Sequence, residues 1–582
     1  MEFRLQSLWC LALLHTTSCY AALLPIKQSI LNGCRSIPGD YNWPPDAVWS
    51  SFNSTLGGKL VATTPLGSVC HDSPFGAYDA EKCDALRSNW FAPETHIDSS
   101  SSIMAPFFTN NSCDPFLPRN ASCSLGNYVS YAVNASCASD FQKAIAFIRH
   151  HNIRLVIRNT GHDYNGKSTG AGALAIWTYH MKDIDIVDYK SPGYTGPAIK
   201  MGAGVSVIES YRFSHEHGFA NSGGDCPTVG VVGGWAQGGG GHGPAVSKFG
   251  VGADQALEWE VVTATGELLI ANQTQNQDLF WALSGGGGGT YGVVSSMTMR
   301  VYPDLKSSAA NMTFAYSKHT ADAFWDVVRT FYASLPSLTA SGCFAIWAVS
   351  SDGFTLYPAN CPGLSENETR ALLSPVLSKL TQHDIPYDSF ITEFDSFLPS
   401  YEAYNLAAPK NVSNSPPLAS RLVPRATLDQ NLTQLTSVFR EMQSRGVTLV
   451  GTAVNISQQG FAADQTSVDP ARRNAAFSAI FATAYDQMDY ETDIARANEM
   501  TYQLLPKLER LIPADQQRAY MNEGDFQEPK FQEVFYGVNY GRLLGIKDRY
   551  DPEQIFYALT GVGSDRWYED QARGGRLCPA GK

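Results

Sequence analysis

Apolar residues in this chain repeat with two different periods, and the changes from one to the other map its elements. Residues 139–148 open with Ser139 and Asp140 and then place Phe141, Ala144, Ile145 and Ile148 at helical spacing, whereas 154–158 reads as a strand. Strand-like runs follow at 174–177, 184–187, 257–263 and 293–301, so that 119–305 alternates helix and strand. Residues 306–505 carry helical patterns at 321–335, 473–485 and 490–505 around β-rich runs at 344–349 and 447–454. Residues 506–582 have their own turn-and-helix signal at 539–552, and 22–118 are rich in Ser, Pro, Asn and Cys with few periodic segments. The pattern predicts an α+β protein of two domains without an internal repeat.

Length agrees, because 582 residues exceed the roughly 250–300 that one hydrophobic core serves. A net charge of −13 argues against nucleic acid or an anionic membrane surface as partner, since both require a basic face. That leaves small-molecule chemistry. Residues 1–21 hold one arginine, an apolar run at 8–14 and a small residue at the end, which reads as a secretory signal cut after Ala21. A secreted chain agrees with ten Asn-x-Ser/Thr sequons, at Asn53, Asn110, Asn120, Asn134, Asn272, Asn311, Asn367, Asn411, Asn431 and Asn455, and N-glycans are expected at several. Ten of the twelve cysteines remain after the signal, an even number that suggests five disulfides. The first six of these would staple a loop-rich cap, and Cys343 with Cys361 brackets a hairpin. No Cys-x-x-Cys or His-Glu-x-x-His occurs, and His215-Glu-His217 lacks the spacing of a helical zinc pair, so no metal site is expected.

Glycine changes this picture most. The chain has 50, and 28 of them fall between Gly161 and Gly292. The segment from Gly161 to Gly166, Lys167 and Ser168 matches the phosphate-loop pattern, but a phosphate loop must run into a helix that holds the phosphates at its N-terminus. Here the chain continues Thr169-Gly-Ala-Gly-Ala-Leu-Ala-Ile, glycine-broken and then strand-like, which argues against a nucleotide triphosphatase. Glycine also lets backbone approach a ligand closely, so three glycine loops separated by strands converge their N–H groups on a diphosphate.

Those loops are Arg158-Asn159-Thr160-Gly161-His162-Asp163, the stretch from Gly223 to Gly243 with Cys226-Pro-Thr228-Val229-Gly230, Gly234, Gly238 and Gly239, and Asp278 to Val294, with Asp254 between the last two. In this order they resemble the PCMH-type FAD-linked oxidases of the vanillyl-alcohol oxidase superfamily, in the berberine-bridge-enzyme-like branch. The resemblance covers 119–305 and returns at Tyr536-Gly-Val-Asn539-Tyr-Gly-Arg. It implies a two-domain fold with an FAD-binding domain at 119–305, a substrate domain at 306–505 and a berberine-bridge-like segment at 506–582 that returns to the FAD domain, after the signal and a Cys-rich extension at 22–118. It implies FAD bonded covalently to His162, with a second bond from Cys226. Nine cysteines then remain, and Cys578, in the tail, is the expected odd one. The loop residues just named, with Asn539, are the expected cofactor contacts. Val229 stands where relatives gate oxygen access, which implies an oxidase using O2. Tyr520 and Glu523 are the candidate bases for the substrate proton; His180 and His242 read as core or loop histidines. The chain departs from plant-type members by having Trp235 where they have histidine. The implied activity is hydride transfer from an alcohol, sugar-like or secondary-metabolite substrate to the flavin. A dehydrogenase with another acceptor, or a silent secreted binding glycoprotein, remains as an alternative.

Overall fold

The computed structural model describes residues 33–406, 417–457 and 459–581, so the signal peptide read at 1–21 and the sequon at Asn411 lie outside the described residues. Strands β1 (Leu60–Ala62), β2 (Tyr131–Asn134), β3 (Leu155–Arg158) and β4 (Leu174–Trp177) form one sheet in the order β1-β2-β4-β3, parallel except at the β1–β2 pair. The stretch 22–118 thus supplies a strand, and also the helix Asp46–Thr55, whose Phe52 stacks on Phe147. Phe147 belongs to the helix Ala138–His151, where Phe141, Ala144, Ile145 and Ile148 bury one stripe and Asn152, in the left-handed region, ends the helix by returning its N–H to Ile148.

A second, antiparallel sheet is built from β5 (Ile184–Ser191), β6 (Tyr194–Gly202), β8 (Ala256–Val262), β9 (Leu268–Asn272) and β10 (Val293–Arg300), in the order β5-β6-β10-β8-β9. Beside it short β7 (Phe219–Ala220) pairs with β11 (Tyr302–Pro303). The third sheet has seven antiparallel strands: β12 (Ser307–Ala315), β13 (Phe344–Val349), β14 (Gly353–Pro362), β15 (Tyr387–Phe394), β16 (Ala419–Pro424), β17 (Thr448–Ala453) and β18 (Ala475–Ala482), in the order β15-β12-β14-β13-β17-β18-β16. Helices Ala321–Ala340, Glu366–Gln382 and Arg425–Ser444 contribute Phe331, Tyr332, Leu373 and Phe439 to a core shared with Trp347, Phe354 and Phe477 of this sheet.

Strand β18 overturns the helix expected over 473–485. Both of its faces are covered, so the polar alternation that marks a half-exposed strand is absent, and its alanines mimic a helical pattern. Among the described residues no helix is long and apolar enough to cross a membrane.

The C-terminal helices Phe531–Tyr536 and Tyr540–Tyr550 return to the first half of the chain and place Val534, Leu543 and Ile546 in a core with Leu279 and Leu283. The hairpin β19 (Trp567–Asp570) and β20 (Arg576–Pro579) then reaches the N-terminal residues, where Arg576 makes a bidentate pair with Asp40 at 2.6 Å. This placement corrects the cysteine expectation. Cys578 is held in β20 and bonded to Cys34, whereas exposed Cys137 and half-buried Cys226 lie outside the disulfides among the described residues. The other pairs are Cys70–Cys83, Cys113–Cys123 and the expected Cys343–Cys361. Because the Cys34–Cys578 bond closes a sequence span of 544 residues, Cys34→Ser is expected to lower unfolding free energy by about 3–5 kcal/mol. An unchanged denaturation midpoint contradicts that role.

Burial also sorts the sequons. Asn455 is 2% exposed, and its Oδ1 accepts from the N–H and hydroxyl of Ser457 at 3.1 and 2.7 Å. Glycopeptide mass spectrometry on chain made through a secretory pathway is therefore expected to find Asn455 bare, while exposed Asn110, Asn120 and Asn367 carry sugar. A glycan on Asn455 refutes its buried placement.

Candidate active site

A cavity of about 570 Å³ lies between the glycine loops on one side and β13, β17 and β18 of the seven-stranded sheet on the other. The loop after β3 supplies Asn159, Thr160, Gly161, His162 and Asp163 to its wall. Gly161 takes φ +84°, a left-handed conformation that glycine adopts without strain. Asp163 folds this loop on itself, accepting the N–H groups of Asn165 and Ser168 at 3.0 Å and that of Lys167. The amides a phosphate loop would offer to phosphate are thus engaged by the chain's own carboxylate, and no helix follows.

His162 meets the second loop. Its Nε2 lies 2.7 Å from Thr228 Oγ1 and 3.9 Å from Cys226 Sγ, with Cys226 Sγ 3.6 Å from Thr228 Oγ1. Val229, Gly230 and Gly234 line the cavity nearby, and a Cβ built on Gly234 meets nothing within 4 Å. At Gly230 it would stand 2.1 Å from Asn159 Nδ2, so that glycine permits a close approach of the two loops. Asn159 donates from Nδ2 to Ala203 at 2.7 Å, while its Oδ1 is buried and has no protein partner among the described residues. A buried acceptor of this kind is left for a ligand donor. Glycine-lined walls, a neighbouring histidine and cysteine, and an acceptor without a protein partner together fit a flavin nucleotide.

Other expected contacts fall outside the cavity. Buried Arg158 points away and donates to the carbonyls of His96, Ser99 and Ser102, pinning the N-terminal extension beneath the loop, and burial lowers its pKa to about 9. Asp254 forms a bidentate pair with Arg473 at 2.7 and 3.1 Å. Asn539 donates to the carbonyls of Ser467 and Val468 at 3.2 and 3.4 Å. Gly238 and Gly239 let the second loop pack on Asn522 and Arg472. These residues shape the loops that line the cavity. His180 stands apart as well, with Nδ1 2.8 Å from Asn134 Oδ1.

Tyr520 and Glu523, however, reach the cavity wall together with His242, Asn522 and Tyr164. His242 Nε2 lies 2.6 Å from Glu523 Oε1, while His242 Nδ1 and Glu523 Oε2 are buried without protein partners among the described residues. Burial alone would lower the pKa of His242, but the Glu523 carboxylate outweighs it and leaves the pKa raised. Tyr520 accepts from Asn522 Nδ2 at 2.7 Å and lies beneath the Arg472 guanidinium, 4.4 Å from the ring centroid. Burial pushes its phenol up and Arg472 offsets only part of this, so the phenol keeps its proton at neutral pH. His242 carried no strong local signal, and Arg472 none at all. Their partners lie 281 and 48 residues away, so only the fold brings them together.

An FAD binding domain matches residues 129–272, and a "Berberine and berberine like" domain matches 519–563. The FAD-linked oxidoreductase sor8 of Hypocrea jecorina is 42% identical over 569 residues, covering 98% of this chain and 97% of that protein. The crystal structure of the VAO-type flavoprotein MtVAO615 from Myceliophthora thermophila superposes with a TM-score of 0.88 at 38% identity, over 94% of this chain and all of that one. Glucooligosaccharide oxidase from Acremonium strictum, described with a 6-S-cysteinyl, 8α-N1-histidyl FAD, shares the fold alone: TM-score 0.61 and 18% identity over 75% of this chain and 92% of that one.

Proposed function

The chain belongs to the FAD-linked oxidoreductases of the vanillyl-alcohol oxidase superfamily, berberine-bridge-like branch, and from that premise we propose that it is a secreted oxidase with FAD bonded to His162 and Cys226. The observation that carries this reading is the convergence of His162 and Cys226 at one glycine-lined wall, with Thr228 bonded to His162 behind them and the His242–Glu523 pair on the same cavity. When bound at His162 and Cys226, FAD would supply the hydride acceptor and a route for the two electrons to O2, with hydrogen peroxide as the product. The flavin bonds of the distant glucooligosaccharide oxidase support double attachment, as does the 3.9 Å separation of the two side chains.

The protein's own groups position the substrate and move its proton. Tyr520, kept protonated by burial, donates to the substrate oxygen. The His242–Glu523 pair takes the hydroxyl proton as hydride leaves the carbinol carbon; the proton rests on His242, where the adjacent carboxylate stabilises imidazolium.

Oxygen uptake with parallel peroxide assay tests the acceptor. One peroxide per O2 consumed is the expected result. Turnover that needs a quinone or dye and leaves O2 untouched makes the protein a dehydrogenase instead. A flavin that no alcohol, sugar or amine reduces supports a silent binding protein.

A further inference from the structure

The seven-stranded sheet has two faces of different chemistry, and the division follows residue parity. On β13, β17 and β18 the odd positions Trp347, Leu449, Phe477 and Phe481 belong to the core shared with the helices. The even positions Ile346, Val450, Thr452, Ile480 and Ala482 line the cavity, and none of them is part of that core. Register sets them side by side, Ile346 opposite Thr452 and Val450 opposite Ile480. Leu418, one residue before β16, extends the surface next to β18. Four adjacent strands at about 4.8 Å spacing make a platform about 14 Å wide. It carries no charge, and its hydrogen-bonding side chains are Thr452 and, at its edge, Tyr357. Tyr520, His242 and Glu523 stand on other elements of the same cavity.

We infer that this platform selects a flat, largely apolar substrate, an aromatic or polyunsaturated carbon skeleton bearing one hydroxyl, and discriminates against sugars; the inference rests on reading the cavity as the substrate site. A planar carbon skeleton covers Ile346, Val450 and Ile480 while its hydroxyl reaches the polar wall. A sugar laid on the same surface leaves most of its hydroxyls facing side chains that cannot bond them, so it binds worse than it dissolves.

The test titrates the holoenzyme with 2-naphthol, which has no carbinol hydrogen to lose, and with cellobiose, following flavin absorbance and the fluorescence of tryptophans that include cavity-lining Trp235. Saturation by 2-naphthol is expected, with no change from cellobiose at about a hundredfold higher concentration. Val450→Asp, and independently Ile480→Asn in case the first variant fails to fold, is expected to weaken 2-naphthol binding about tenfold with flavin content unchanged. The inference is overturned by saturable cellobiose binding, by a lack of binding of either probe, or by unaltered 2-naphthol affinity in both variants. Loss of flavin from the acid-precipitated wild-type protein counts against covalent attachment alone, because tryptophan fluorescence still reports the platform.

Discussion

Glu523→Gln is expected to lower the rate of flavin reduction by about 10²–10⁴-fold, the range that a positioned proton acceptor contributes. The amide keeps the shape of the carboxylate but cannot stabilise an imidazolium on His242, 2.6 Å away. The pH profile separates this role from a structural one. In the parent protein the competent form is neutral His242 beside ionised Glu523, and the pKa of His242 is raised above its ordinary 6.5, against burial, by that carboxylate. Turnover should therefore rise with pH through a midpoint above 6.5. In the variant burial dominates, and the residual activity should titrate below 6.5. Asp225, which also raises the pKa, and Arg472, which lowers it, are present in both proteins. An unshifted midpoint with a normal reduction rate rules the pair out as proton acceptor. As a linkage effect, imidazolium at His242 stabilises the fold below pH 6.5, and that stability is lost as pH rises through the raised value.

Trp347→Ala is expected to cost about 3–5 kcal/mol of stability. The indole is fully buried behind the substrate platform, with ring centroids 5.0 Å from Phe331 and 5.4 Å from Phe477. The opposing strand makes room for it with Gly451, where a Cβ would stand 2.0 Å from Trp347 Cζ2. Truncation leaves a cavity in the middle of the core and lets β13 and β17 sag toward the helices, so the midpoint of urea unfolding should fall while the slope stays constant. A loss below about 1 kcal/mol would place the packing that supports the platform elsewhere.

The sequence made the flavin side of the molecule readable because glycine there has a local cause. Gly161 and Gly230 occur where backbone must turn or come close to its neighbours, and their spacing from His162 and Cys226 is a pattern along the chain. The acid–base cluster was only half visible. Tyr520 and Glu523 stood out by type and distance from Asn539, but Asn539 itself packs outside the cavity, and His242 gained meaning only from a contact across 281 residues. Arg158, Asp254 and Gly238 looked like ligand contacts because they lie within ligand-like loops; their side chains or approaches serve the loops instead. β18 was misread because two covered faces remove the polar alternation, and Cys578 because a folded C-terminal hairpin has no strong local signature. The substrate platform was invisible for the same reason as β18: its even and odd residues are alike apolar, and only register tells which face is core.

Covalent attachment of flavin by His162 and Cys226 is read from the absorbance of the protein pellet after acid precipitation and washing, for the parent chain and for Cys226→Ala, His162→Ala and the double variant. The parent pellet is predicted to stay yellow, each single variant to retain flavin with an altered spectrum, and the double variant to release it all. A colourless parent pellet, with all the flavin in the supernatant, contradicts the account.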